Sequence, residues 1–186
     1  MIPIKNKKKT LEVTIEEMRN FAFNYIEKFA PSKQQLKTYL LKKYLKSKTP
    51  VNRSNVSNLI DIVLEDLEKS KFINDKFYSE SKAKSLVQRG SSINKIRNYL
   101  IGKGVGDKYI KNAIEKIHEN NDDQDFFSAI KICKKKRIGP SREEDNRPLF
   151  YKKDMGVLAR SGFDFEVSRR VMDLEKDEYL KIINLL

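Results

Sequence analysis

Three glycines in five residues, Gly102-Lys103-Gly104-Val105-Gly106, have the composition of a loop whose backbone N–H groups cradle a phosphate. That chemistry needs a preceding strand and either the Walker spacing with its Gly-Lys-Ser/Thr ending or the dinucleotide fingerprint. Both templates fail here, so the stretch reads as a helix C-cap and a tight turn between helices. The chain has one histidine, His118, and one cysteine, Cys133. A zinc site of the usual kind needs four ligands, and a nucleophile needs a base beside it. One residue of each type supplies neither. His118 instead suits a helix C-terminus, where a partly cationic imidazole complements exposed carbonyls. Asp122, Asp123 and Asp125 cluster as metal ligands do, but they lack the EF-hand pattern and read as helix N-caps. No serine stands in a nucleophile-elbow context. The expectation is a protein that is not an enzyme, with no catalytic residues, no metal and no cofactor.

The cations are a different matter. Lys134-Lys135-Lys136-Arg137 fits contact with phosphates or acidic side chains, and equally a solvated helix end complementing its dipole. Arg160, Arg169 and Arg170 flank a turn at Gly162-Phe163. Arginines presented in pairs by helices suit carboxylates or phosphates better than lysines do, because the guanidinium is a planar fork. Three-helix units with a glycine turn also bring helix-turn-helix DNA readers to mind. Here the candidate reading helices open Asp107-Lys108-Tyr109 and Asp164-Phe165-Glu166. An acidic start repels phosphate where a reader must dock, which argues against base-specific reading in the major groove. Weak, sequence-independent affinity for DNA through the lysines stays open.

The 186 residues carry a formal net charge of +13, unevenly spread. Residues 1–50 hold twelve Lys/Arg against four Asp/Glu, whereas residues 121–186 are nearly balanced at fourteen against thirteen. A basic end beside a neutral one fits a segment that faces a polyanion or an acidic protein surface. A lysine-rich proteome explains the excess as well. A lone cysteine excludes an internal disulfide framework and suits a reducing cytoplasm. No apolar run approaches the ~20 residues needed to span a bilayer. Met1–Thr10 is basic without a following apolar stretch, unlike a secretory signal. A soluble, cytoplasmic protein away from membranes is expected.

The elements that must position these residues are helical, because no stretch sustains period-two alternation. Twice, a helical stretch runs into Gly plus a hydrophobic residue and then into a second amphipathic stretch. One instance is Leu100-Gly104-Val105 followed by Ile110, Ile114 and Ile117. The other, 58 residues later, is Leu158-Gly162-Phe163 followed by Val167, Val171 and Leu174. A looser version upstream has Leu36, Leu40 and Tyr44, then Val56, Ile60 and Val63. A pattern recurring at this spacing predicts an all-α chain of nine helices in three tandem three-helix, helix-turn-helix-like repeats. The boundaries are a basic arm at 1–12, then repeats at 13–71, 72–119 and 120–186. Within the first, a capping box Thr14–Glu17 opens a helix with Met18, Phe21, Ala22, Tyr25, Ile26 and Phe29 on its apolar face, and Pro31 ends it. Ser32 caps the next helix, with Gln35 at the reciprocal position. Ser47–Asn52 is a connector. Phe72-Ile73-Asn74-Asp75 is a joint with two residues to bury and an N-cap, and the following helix buries Phe77, Tyr78, Ala83 and Val87. Ser91 or Ser92, Asp107 and Asp122-Asp123 cap later helices, and Ser141–Arg147 is a charged loop.

These residues resemble the RecX family, bacterial regulatory proteins that modulate the recombinase RecA. The likeness runs from about residue 14 to 175. It rests on Ser32-Lys33-Gln34-Gln35-Leu36 with Leu40; on Phe72-Ile73-Asn74-Asp75-Lys76-Phe77; on Ile93–Gly104-Val105 with Ile110; on Ile138-Gly139-Pro140; and on Lys153–Gly162-Phe163 with Arg169-Arg170-Val171. The order and spacing of these pieces carry it. Lys33 stands where the family has Arg, Tyr78 where it has a small residue, and Lys71 where many members have Gly. The resemblance implies an elongated, curved array of the repeats, a monomer lying in the groove of the RecA–single-stranded-DNA filament. There it would hinder filament extension, ATP hydrolysis and strand exchange, and so act on DNA repair and the SOS response. Lys33, Lys37, Arg89, Lys95, Arg97, Arg160, Arg169 and Arg170 are the candidate contacts with that filament or its DNA. The competing reading is a sequence-independent nucleic-acid-binding helical module that acts without a recombinase.

Overall fold

The computed structural model describes residues 11–46 and 52–186. The basic arm, save its last two residues, and the connector, save Asn52, lie outside the described residues. Among the described residues there are ten α-helices and no strand. They are α1 (Ile15–Phe29), α2 (Lys33–Leu45), α3 (Arg53–Lys69), α4 (Asp75–Gln88), α5 (Ile93–Gly102), α6 (Asp107–Asn120), α7 (Gln124–Lys136), α8 (Arg147–Arg160), α9 (Phe165–Met172) and α10 (Lys176–Leu185). Two compact units divide between Tyr78 and Ser79, within α4.

In the first unit, local capping chemistry sets the helix starts. Gln35 N–H donates to Ser32 Oγ and Ser32 N–H to Gln35 Oε1, both at 3.2 Å, which closes the expected capping box. At Thr14 only half of such a box forms, with Glu17 N–H donating to Oγ1 at 3.3 Å. Helix α1 ends at Phe29 with Ala30 left-handed (φ 40°), directly before Pro31. The core joins Met18 and Ala22 of α1 to Leu36, Leu40 and Tyr44 of α2 and to Val56, Ile60, Val63, Leu64 and Leu67 of α3. The apolar face expected of α1 is wider than the groove it fills. Met18 and Ala22 are fully buried, Phe21 and Tyr25 sit half-buried at the edge, and Phe29 is 59% exposed. The joint also differs from expectation. Ile73 is buried, but Phe72 is exposed and packs edge-on against Phe23. Asn74 Oδ1 accepts from Phe77 N–H at 3.0 Å, so Phe77 falls on the solvent side of the first turn. It is 70% exposed, and Tyr78, one residue on, turns inward.

The second unit centres on Phe126, Ala129, Ile130 and Cys133 of α7, Leu158 of α8, Val171 and Met172 of α9, and Tyr179 and Ile183 of α10. Helix α10 is absent from the sequence reading, which stops at Leu174; with it the helices number ten rather than nine. Burial pushes the Cys133 thiol up to about 12, which leaves it unreactive at neutral pH. Ser92, rather than Ser91, caps α5. Helix α6 has Gly106 at its cap position, so Asp107 is an acid in the first turn rather than the cap. Asp123 holds the cap position of α7 without a capping bond, because its carboxylate is used elsewhere. Two 3-10 turns, Gly139–Ser141 and Glu144–Asn146, lie at the start of the charged loop and within it, and the segment is fastened at both ends. Asp154, 1% exposed, accepts from the Arg142 guanidinium at 2.6 and 2.9 Å and from Gly139 N–H at 2.9 Å. Arg147 donates to the carbonyls of Met172 and Leu174 at 2.7 Å each, closing the C-terminal end of α9.

Candidate partner-binding surface

In the first unit the candidate cations face acids of α3. Lys33 Nζ lies 2.5 Å from Glu68 and Lys37 Nζ 2.5 Å from Asp61, while Arg19 pairs with Asp66. These exposed pairs contribute little to stability, about 0–1 kcal/mol each, yet they neutralise the cations they hold. The sequence pointed to Lys33 and Lys37 and could not show their partners, which lie 35 and 24 residues away. Lys28, Lys42, Lys43 and Lys46 of the α1–α2 hairpin are among the cations with no ion pair among the described residues.

In the second unit the geometry gathers two candidates at one junction. Ser92 Oγ donates to the carbonyl of Ser161 at 2.9 Å and accepts from Lys95 N–H at 3.2 Å. Asn94 Nδ2 donates to the carbonyl of Gly162 at 3.3 Å. Gly162 has φ +89°, and a Cβ there would lie 2.5 Å from Ser92 Oγ and 3.6 Å from Lys95 Cβ. The start of α5 is thus seated on the turn after Arg160, and the root of Lys95 stands beside that turn. Both cations are exposed. Arg89 precedes Gly90, which lies against α7 at Ser128 and Lys131. Arg97 shares a cleft of about 280 Å³ with Lys108 and Lys111, opposed by the single acid Asp107.

The paired arginines diverge. Arg170 makes a bidentate bond to Asp123 at 2.9 and 2.6 Å and lies over the Phe126 ring at 4.6 Å, fastening α9 to α7. That hydrogen-bonded pairing holds the Asp123 carboxyl below its usual value. Arg169 points to Asp173, 3.5 Å away on its own helix. Lys134 to Arg137 are all exposed, with Arg137 a left-handed C-cap at φ 55°. Gly102–Gly106 is the turn between α5 and α6. Among the described residues no group of three or more His, Cys, Asp and Glu is placed to hold a metal ion, and no helix is long and apolar enough to cross a membrane.

An all-helical protein with basic faces on two units is the class these features define. The chain is 30% identical over 175 residues to the regulatory protein RecX of Myxococcus xanthus (strain DK1622), across 89% of each chain. It is 24% identical over 166 residues to the regulatory protein RecX of Agrobacterium fabrum, across 89% of this chain and 87% of that one. The crystal structure of RecX from Lactobacillus salivarius has the same fold, with a TM-score of 0.61 over 92% of this chain and 97% of that one, at 17% identity. No family model matches the chain. The chain belongs to the RecX family of regulatory proteins.

Proposed function

We propose that the chain regulates the recombinase RecA by binding the RecA–single-stranded-DNA filament and restraining its extension, ATP hydrolysis and strand exchange. The observation that carries the reading is the 30% identity to a RecX protein over 89% of each chain. Exposed Lys95, Arg160, Arg89 and Arg97 support it, since cations on a rigid helical scaffold suit a partner built of acidic protein and phosphate. We take α1–α3, α4–α6 and α7–α9 as three tandem copies of one unit, and a recurring tie supports this. The first N–H of α2, at Lys33, donates to Asp75 of α4 at 2.8 Å, and the first N–H of α5, at Ile93, donates to Asp125 of α7 at 2.8 Å. Each follows an N-cap serine. Linked weak contacts of such copies gain effective concentration on a repeating partner.

The test is RecA-dependent ATP hydrolysis on single-stranded DNA, measured with and without the protein. Hydrolysis falls as the protein is added, and less steeply for the double variant Lys95→Glu/Arg160→Glu. Unchanged hydrolysis at stoichiometric excess of the wild type refutes the reading.

A further inference from the structure

The outer side of the α1–α2 hairpin combines two features that rarely coincide on a solvated face. The first is a ladder of rings. Tyr25 and Tyr39 stack face to face, with centroids 4.1 Å apart and planes 13° from parallel. Phe29 lies 4.8 Å from Tyr25 with its plane tilted 44° from that ring, and the residue is 59% exposed. The two tyrosines have a structural role against the core. Phe29 has none of that kind: it stands past the last core residue of α1, at the helix end. A large exposed aromatic braced at an angle by a stacked pair keeps one ring face open.

The second feature is charge. Lys43 Nζ lies 3.8 Å from the centre of the Phe21 ring and 5.9 Å from that of Tyr39. Lys28, Lys42 and Lys46 of the same hairpin are exposed. Asp66, Glu68 and Asp61 of α3 pair with Arg19, Lys33 and Lys37. The lysines on the outer side have no ion pair among the described residues. Glu17, the acid beside the rings, accepts a hydrogen bond from the buried Tyr44 hydroxyl at 3.3 Å. Cations interleaved with stackable rings match a single-stranded nucleic acid, whose bases offer π-faces and whose backbone offers phosphates. A duplex keeps its bases stacked inside and fits only the lysines.

We infer that the α1–α2 face binds single-stranded nucleic acid directly, with a base stacking on the open face of Phe29 and Lys28, Lys42, Lys43 and Lys46 holding the adjoining phosphates. The inference deepens the filament reading and rests on it only for where the strand is met. Binding is tolerant of sequence, because every base has a π-face.

The chain contains no tryptophan, so Phe29→Trp in the full chain is a clean reporter. Its emission is quenched by oligothymidylate and not by an abasic strand of equal length. Phe29→Ala weakens oligothymidylate binding, read by fluorescence anisotropy, by about 5- to 150-fold, the range of one base–aromatic stack. It leaves the affinity for a duplex unchanged. Lys42→Gln/Lys46→Gln instead lowers the salt dependence of log K by about 1.4, at ~0.7 per phosphate contact on a single strand. Equal affinities of wild type and Phe29→Ala for oligothymidylate overturn the inference, as does an abasic strand that binds as tightly as the natural one. These measurements omit RecA. Stacking without any effect on RecA hydrolysis therefore sinks the filament reading alone, and regulation without stacking sinks this one alone.

Discussion

Gly162→Ala tests whether the junction between α5 and the α8–α9 turn is as tightly built as it looks. The new methyl would lie 2.5 Å from Ser92 Oγ, on a side chain with no exposure, at φ +89°. Ser92 cannot turn away freely, since its hydroxyl donates to Ser161 and accepts from Lys95 N–H. Relief means giving up the N-cap, at about 1 kcal/mol, and the buried bond to Ser161, at about 1 kcal/mol. Left-handed backbone costs a residue with a Cβ about 1–2 kcal/mol, offset in part by the lower chain entropy of alanine when unfolded. The total is about 3 kcal/mol. With a urea m-value of about 2 kcal/mol/M, the unfolding midpoint followed by circular dichroism drops by about 1.5 M. The double variant Ser92→Ala/Gly162→Ala removes the clash with its cause, so its loss is smaller than the two single losses summed, by about 1 kcal/mol or more. A Gly162→Ala protein within about 0.5 kcal/mol of wild type, or strictly additive losses, refutes the account of this junction.

Lys71 occupies left-handed backbone at φ 60° on an exposed position. Lys71→Gly should raise stability by about 0.5–1 kcal/mol and the thermal midpoint by a few degrees, because relief of strain exceeds the entropy cost of glycine. Asp154→Ala leaves the Arg142 guanidinium and the Gly139 N–H without their acceptor and should cost about 3 kcal/mol in urea titrations at neutral pH. Burial raises the Asp154 pKa, but the bonds from Arg142 and Gly139 outweigh it, so the net shift is downward. A depressed folded pKa gives stability that is present above the unfolded value near 4 and is lost as pH falls through the folded value. The gap between wild type and Asp154→Ala should therefore close in acid. Asp125 has the opposite sign: burial first, against the bond from Ile93, holds its pKa up. Its contribution is present below the unfolded value and lost as pH rises through the folded one. Asp125→Asn, which keeps an acceptor for Ile93, should abolish that pH dependence with little loss, whereas Asp125→Ala should cost about 1–2 kcal/mol.

What the sequence made legible was what is local. The cap at Ser32 acts within three residues, the choice between Ser91 and Ser92 was narrowed to neighbours, and the Gly-hydrophobic turns are written in adjacent letters, so the all-α class could be read directly. Helix α10 went unread although its signal is local, with Asp177 and Glu178 in a first turn and Tyr179, Ile182 and Ile183 on one face. Pairings across the fold could not be read. Arg170 meets Asp123 over 47 residues, and Lys33 and Lys37 meet acids of α3 that periodicity does not connect to them. A sequence lists cations but not which of them are already neutralised. Charge that reads as a binding face can therefore be spent inside the protein, as it is at Lys33 and Lys37. The exposure of Phe29 was hidden for a related reason: the apolar stripe of α1 is continuous in sequence, and only the width of the α2–α3 groove decides where burial stops.

The ties from Asp75 to Lys33 and from Asp125 to Ile93 also run in one direction along the chain. Each helix start is completed by a carboxylate made later, 42 and 32 residues downstream. As the protein leaves the ribosome, α2 and α5 emerge with their first amide lacking this acceptor, and each receives it only when a subsequent helix arrives. At these two starts, order is handed backward from a later helix to an earlier one. A chain halted before Asp125 would present an α5 that is fully synthesised yet unfinished at its first turn.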